Sequence, residues 1–273
     1  MLIFNHNKGR LGNSLFRLFA NIVFIVANND NNSQIINESP RTRSDLVVTD
    51  NYFINWMNKL LYQNQVNKIN MTSILFDGYY QHDSIFIKFK QHIVDYIKNH
   101  PELILKTDKN ENYNAINFID YKITKKYKIV VHLRLEDFID IGHVINPSSI
   151  KNVIDKINKE YNNEPICFVL NKPKTELEQK YIHFFTSNYH NIIIESNDVL
   201  TDYTIMKEAT ILVCSCSTLS WAAAILSNTL QKVYMPNYKN VNGSHQTCKQ
   251  PISNTELYEI DMCSKNELLK ILI

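Results

Sequence analysis

DYTIMKEATILVCSCSTLSWAAAIL, residues 202 to 226, contains one full turn of an architecture. Its first part belongs to a helix-length segment from Leu200 to Ala209, and Ile211 to Cys214 is a short apolar run rich in β-branched residues. Ser215 to Thr218 are small and polar, and Ser217 to Ser227, carrying Trp221-Ala222-Ala223-Ala224, reads as a second helix. Helix, strand, polar turn and helix in that order is the pattern of a parallel sheet flanked by helices.

The same alternation extends to both sides of this stretch. Strand Lys128 to Leu133, helix Pro147 to Tyr161, strand Ile166 to Leu170, helix Thr175 to Asn188 and strand Asn191 to Glu195 precede it, and strand Lys232 to Met235 follows. In the first half, Leu2 to Asn5, Leu46 to Thr49 and Ile74 to Tyr79 read as strands. Ser14 to Asn28 is expected to be a helix with Leu15, Leu18, Phe19, Ile22 and Val26 on one stripe, and His82 to Asn99 a second helix before Pro101. Lys106 to Lys126 is polar and asparagine-rich, with Lys122, Lys125 and Lys126 clustered, and is read as an interdomain connection. The expectation is an α/β protein of two domains, 1–118 and 119–273, without internal repeats.

A chain of 273 residues with 44% apolar content can bury two modest cores. Charged residues make up 21% and nearly cancel at net +2, so no field for a polyanion is implied and nucleic acid is not an expected partner. The five cysteines, Cys167, Cys214, Cys216, Cys248 and Cys263, form no CxxC pair, which predicts reduced thiols and no zinc site. No basic leader and no window of about 20 apolar residues is present, so no membrane span and a cytoplasmic location are expected.

In open α/β sheets, ligands bind outside the carboxyl ends of the strands. Three segments fall at such ends. In KGRLGNSLF, residues 8 to 16, Gly9 and Gly12 permit positive φ or close approach of a ligand, and the following helix N-terminus favours an anion. Asn13 either caps that helix or presents its amide to a ligand. In IVVHLRLED, residues 129 to 137, His132 and Arg134 share a face of an extended chain. Arg134 is read as an exposed strand-end group that either pairs with Asp137 or holds a diphosphate through two parallel charge-assisted hydrogen bonds. In the third segment Ser217 is a candidate N-cap, and the N–H groups of Ser217 and Thr218 are suited to phosphate oxygens.

Taken together, these stretches resemble the GDP-fucose-dependent fucosyltransferases, nearest to the α-1,2-fucosyltransferase family. GRLGNSLFRLFA is similar to that family's G-G/R-L-G-N-Q-L-F-Q-Y-A, with Ser14 and Arg17 replacing glutamines. DGYYQHDSIF, from Asp77, resembles G-Y-F-Q-S-x-x-Y-F; VVHLRLEDF resembles H-V-R-R-G-D-Y; and CSCSTLSWAAAIL resembles S-N-S-S-F-S-W-W-G-A-W-L. Tyr203 and Met206 fit the Y-x-x-M part of D-x-Y-x-x-M, and Asp202 adjoins the tyrosine directly where the family has one residue between them. Leu135-Glu136 stand where the family has Arg-Gly, Ala222 replaces a tryptophan, and Cys216 an asparagine.

The resemblance implies a glycosyltransferase-B fold, two Rossmann-like domains facing a central cleft, with donor bound mainly by the C-terminal domain and acceptor by the N-terminal one. It implies an inverting enzyme that needs no metal or other cofactor and takes GDP-fucose and a glycan as substrates; no D-x-D triplet occurs. Arg134 then stabilises the departing diphosphate, supported by Ser217 and Thr218. Asp202 accepts the guanine N–H groups or caps a helix, and His132 contacts base or ribose or is a buried strand histidine. Gly9, Arg10, Gly12 and Asn13 approach the sugar phosphate. The general base is drawn from Asp137, Glu136 and His6, with Asp137 alternatively orienting Arg134. Another nucleotide-sugar donor, or a catalytically silent nucleotide- or glycan-binding module, are the competing readings.

Overall fold

Apolar runs too short to be helices pair side by side in each half of the chain. The structure, a computed structural model, describes residues 1–6, 9–30, 32–38, 40, 44–63, 71–237 and 248–272, so Lys8 lies outside the described residues. Its packing separates two units, Met1–Tyr121 and Lys122–Ile273.

The first unit runs β1 (Leu2–Asn5), α1 (Leu11–Ala27), β2 (Gln34–Ile36), β3 (Leu46–Val48), α2 (Asp50–Gln63), β4 (Ser73–Phe76) and α3 (Asp83–Asn99). A hairpin of β5 (Ile104–Lys106) and β6 (Asn112–Asn114) and the single turn α4 (Asn117–Asp120) complete it. Its sheet has the order β2-β1-β4-β3 and is parallel throughout, with Phe4 opposite Leu75 and Asn5 opposite Phe76. α1 departs from the expected one-sided helix: Phe16, Phe24 and Ile25 are buried beside the predicted stripe, and so are the polar Ser14, Arg17 and Asn21. The helix is enclosed because Phe86 of α3 meets Phe16 and Phe19 edge-on, at centroid distances of 5.6 Å. The segment read as a connection is ordered at its start, where Lys106 pairs with Asn112 across the β5–β6 hairpin. Three-residue strands are too short to leave an alternating pattern.

The second unit runs β7 (Ile129–His132), α5 (Asp137–Asp140), β8 (Val144–Ile145), α6 (Pro147–Glu160), β9 (Ile166–Val169), α7 (Glu176–Asn188), β10 (Ile192–Glu195) and α8 (Val199–Glu208). β11 (Ile211–Val213), α9 (Thr218–Leu226), β12 (Lys232–Asn237), β13 (Thr255–Glu259), β14 (Met262–Cys263) and α10 (Lys265–Ile271) follow. The six-stranded sheet has the order β10-β9-β7-β11-β12-β13 and every pair is parallel. Helix starts are written in the sequence: Asn146 accepts from the Ser148 N–H ahead of Pro147, and Thr175 with Glu178 forms a capping box. Val131, Phe168 and Val213 of adjacent strands pack with Tyr181 and Phe185 of α7 in one buried cluster.

All five cysteines lie in this unit and none is bridged; Cys167, Cys214, Cys248 and Cys263 are buried. Burial pushes the Cys214 thiol up to about 12.

Candidate functional site

Within the second unit the chain builds β7, β9 and β10 outward in one direction, then crosses back to lay β11, β12 and β13 on the other side of β7. The reversal falls between β7 and β11, and a doubly wound sheet opens a crevice at the carboxyl ends of the two strands flanking that point. His132 ends β7, and Ser215 comes just after β11. The His132 Nδ1 and Ser215 Oγ share a hydrogen bond of 2.7 Å that ties the two strand ends together. His132 is 7% exposed; burial, and then the Arg134 charge, push its pKa down to about 3. The imidazole is therefore neutral at physiological pH and serves as a strut.

Arg134 does not project freely from the strand end as expected: its side chain is only 14% exposed. Nη2 donates to Asp137 Oδ1 at 2.7 Å, Nη1 lies 3.8 Å from Glu136 Oε2, and the guanidinium stands 5.6 Å from the centre of the Phe138 ring. The chain turns here because the Phe138 N–H donates to the Leu135 carbonyl at 2.9 Å, with Glu136 at φ +40°, ψ −120°. That is the first central position of a type II′ turn, normally given to glycine. The turn is pinned from α7. Glu178, 3% exposed, accepts the Glu136 N–H at 3.1 Å on one carboxylate oxygen and the N–H groups of Lys174 and Thr175, each at 2.7 Å, on the other. Burial pushes the Glu178 carboxyl up, but these donors outweigh it and hold the group below its ordinary pKa. Arg134, Ser215 and Cys216 line one small cavity together with Phe138, His143 and Tyr181.

Beyond β11, the polar turn is fixed by Trp221, whose indole Nε1 donates to the Ser215 carbonyl at 2.8 Å. Ser217 is the N-cap residue of α9 by position, yet its hydroxyl makes no capping bond; the first-turn N–H groups of α9 are not closed off by it. Asp202 is not an N-cap either. Asp198 caps α8, accepting from the Leu200 and Thr201 N–H groups, and Asp202 lies one turn on, 6% exposed. Asp202 Oδ1 accepts from the Asn197 N–H and from Asn197 Nδ2, both at 3.1 Å. Burial raises the Asp202 pKa to about 6 against those two bonds. His132, Arg134, Asp137, Asp202, Ser217 and Thr218 thus all stand at the carboxyl end of the second sheet.

Gly9, Arg10, Gly12 and Asn13 belong to the first unit. Gly9 has φ +79°, and a Cβ there would sit 2.4 Å from Asn13 Nδ2, so the glycine is required twice over. Gly12, expected in the turn, is already helical: α1 begins at Leu11, because the Arg10 carbonyl accepts the Asn13 and Ser14 N–H groups at 2.9 and 3.2 Å. This also removes Asn13 as a cap. Its Oδ1 instead accepts from Gln81 Nε2 at 3.2 Å.

The order of the first sheet also reverses, between β1 and β4, and at those strand ends His6 Nε2 lies 4.0 Å from Asp77 Oδ2. Sequence reasoning missed Asp50, which accepts the N–H groups of Tyr79 and Tyr80 at 3.0 and 2.6 Å and leaves no room for a Cβ on Gly78. It also missed Glu178, whose partners are main-chain N–H groups that leave no motif, and Asn197, whose carboxylate partners Glu195 and Asp202 are near in sequence but meet it only through the turn between β10 and α8.

No protein-family model matches the chain, and no curated protein matches it. Among solved structures, the E. coli heptosyltransferase WaaC with ADP is similar, at 10% identity and a TM-score of 0.49 over 98% of this chain and 95% of that one. The same enzyme with ADP-2-deoxy-2-fluoro heptose gives 9% identity and a TM-score of 0.46 over the same shares. These likenesses are too loose to assign a donor, an acceptor or an activity.

Proposed function

We propose that the chain is an inverting, metal-independent glycosyltransferase that moves L-fucose from GDP-fucose to a glycan hydroxyl, with α-1,2 transfer to galactose the first linkage to test. The observation that carries this reading is the coincidence of two independent lines. The topological reversal of the second sheet falls between the two strands whose ends carry the motif residues Arg134 and Ser217-Thr218. The family glycine missing at Glu136 falls at a backbone position with φ +40°, where glycine is the natural occupant.

Transfer requires charge to be stabilised on the departing diphosphate while the acceptor oxygen attacks the opposite face of the sugar. Arg134 supplies a guanidinium set over the Phe138 ring, and the diphosphate takes the place of Asp137 and Glu136 as its partner. Thr218 and the first turn of α9 supply N–H donors to the same oxygens. Asp202 accepts the two adjacent N–H groups of guanine, and the neutral His132 stands against base or ribose.

One observation favours a second reading. Arg134 already has two carboxylates beside it, at 2.7 and 3.8 Å, as expected of a silent binding module whose guanidinium is neutralised and does not stabilise a departing diphosphate.

A screen of GDP-, UDP- and ADP-sugars against a glycan panel, without added metal, separates the readings. Fucosylated product from GDP-fucose supports the first, GDP binding without product supports the second, and equal affinity for GDP, UDP and ADP removes the guanine assignment of Asp202. Arg134→Lys keeps the charge but not the two-pronged geometry and is expected to lower turnover on the order of a hundredfold. Turnover within threefold of the parent would sink the role given to Arg134.

A further inference from the structure

Glu195, at the end of β10, is held by three neighbours. Oε1 accepts from Lys125 Nζ at 2.8 Å and from the Tyr127 hydroxyl, and Oε2 accepts from Asn197 Nδ2 at 3.1 Å. The Lys125 and Tyr127 hydrogen bonds, ahead of burial, draw its pKa down to about 2, so it is a carboxylate throughout the physiological range. A carboxylate only accepts, so the atom of Asn197 that faces it must be the nitrogen. The same nitrogen lies 3.1 Å from Asp202 Oδ1, and the Asn197 N–H lies 3.1 Å from that oxygen as well.

The carboxylates nearest Asp202 oppose its ionisation, and the cation Lys125 is bonded to Glu195. Glu195 stands on β10 and Asp198 on the preceding loop, and both are carboxylates that push its proton affinity up; Cys167 on β9 is a neutral buried thiol. The donors that favour the charged form come from Asn197.

We propose that Asn197 is a positioning residue for nucleotide recognition: oriented by Glu195, it places two donors on one oxygen of Asp202, which keeps that carboxyl charged and turned to accept the N–H edge of a purine base. This rests on the reading of Asp202 as the base acceptor. The chemistry is selective in sign. A charged Asp202 accepts from a base with adjacent N–H donors, whereas a protonated one presents a donor to them and repels that edge.

The test uses the full chain with 13C-labelled aspartate, the Asp202 carboxyl signal being assigned by its loss in Asp202→Asn. In Asn197→Ala, where the main-chain donor remains and the side-chain donor is gone, the Asp202 midpoint is expected to rise by about one pH unit. GDP affinity measured calorimetrically should then fall about threefold below the parent's at pH 6.5 and equal it at pH 8.5. Asn197→Ser, with a shorter donor, serves as the second variant should Asn197→Ala melt early. An unmoved Asp202 midpoint in a folded variant overturns the role given to Asn197, whatever the nucleotide does. A raised midpoint with GDP affinity unchanged across pH supports that role and instead overturns the contact between Asp202 and the base.

Discussion

Asp202 sets up a conflict between stability and binding at the scale of one residue. Its pKa is raised from 3.8 to about 6 by burial, so its contribution to stability is complete below about pH 3.8 and is lost as pH rises through about 6. At neutral pH the unliganded protein therefore carries a buried charge that, among the described residues, Asn197 alone answers by hydrogen bonding. Asp202→Asn keeps an oxygen for both Asn197 donors and removes the charge. It is expected to raise the melting temperature at pH 7.5 by a few degrees while weakening GDP binding tenfold or more, read by calorimetry on the same sample. A variant that is both less stable and equally tight would refute the assignment. His132 is the counterpart: with its pKa near 3, it contributes no titration to the activity profile above pH 5, so an activity midpoint near pH 6 is to be sought in Asp202. Both residues were legible as site candidates because an apolar strand or a helix motif delivers them. Their protonation states were not, because burial is a property of the packed sheet.

The turn from Leu135 to Phe138 is the element where sequence and backbone disagree. A non-glycine residue at φ +40° costs on the order of 1 kcal/mol or more, and Glu178 over-determines it from α7. Glu136→Ala and Glu136→Gly remove the same carboxylate, so comparing them isolates the backbone. The glycine variant is expected to be about 1 kcal/mol more stable than the alanine variant in urea unfolding, and both should bind GDP more tightly than the parent, since Arg134 loses a competing anion. Equal stability of the two variants would show that the turn carries no strain. At this scale, elements with unbroken apolar runs were readable: Ile129-Val130-Val131 and Ile211-Leu212-Val213 became β7 and β11. α2 was not, since Asn51, Asn55 and Asn58 dilute its apolar stripe, and β13 (TELYE) buries one face alone at Tyr258. The early start of α1 escaped notice because Gly12 is a poor helix former, and it is the Gly9 turn that positions the Arg10 carbonyl.

At the scale of the molecule, the alternation of runs was enough to predict parallel sheets, and the strand order then fixed where each sheet opens. That order could not be read from the sequence, because nothing in the composition of β11 says on which side of β7 it will lie. If the diphosphate is met by Arg134 and α9 alone, a chelator such as EDTA should leave transfer within a factor of two; strong inhibition reversed by manganese would refute the metal-free reading. The placement of the thiols offers a separate measurement. Cys167, Cys214, Cys248 and Cys263 are sealed inside Lys122–Ile273, and Met1–Tyr121 has no cysteine at all. A maleimide or disulfide-exchange reagent is thus a clock for Lys122–Ile273 alone. Its uptake at those four sites should slow in step with GDP concentration, while fluorescence from Trp56, in the other half, remains unaffected.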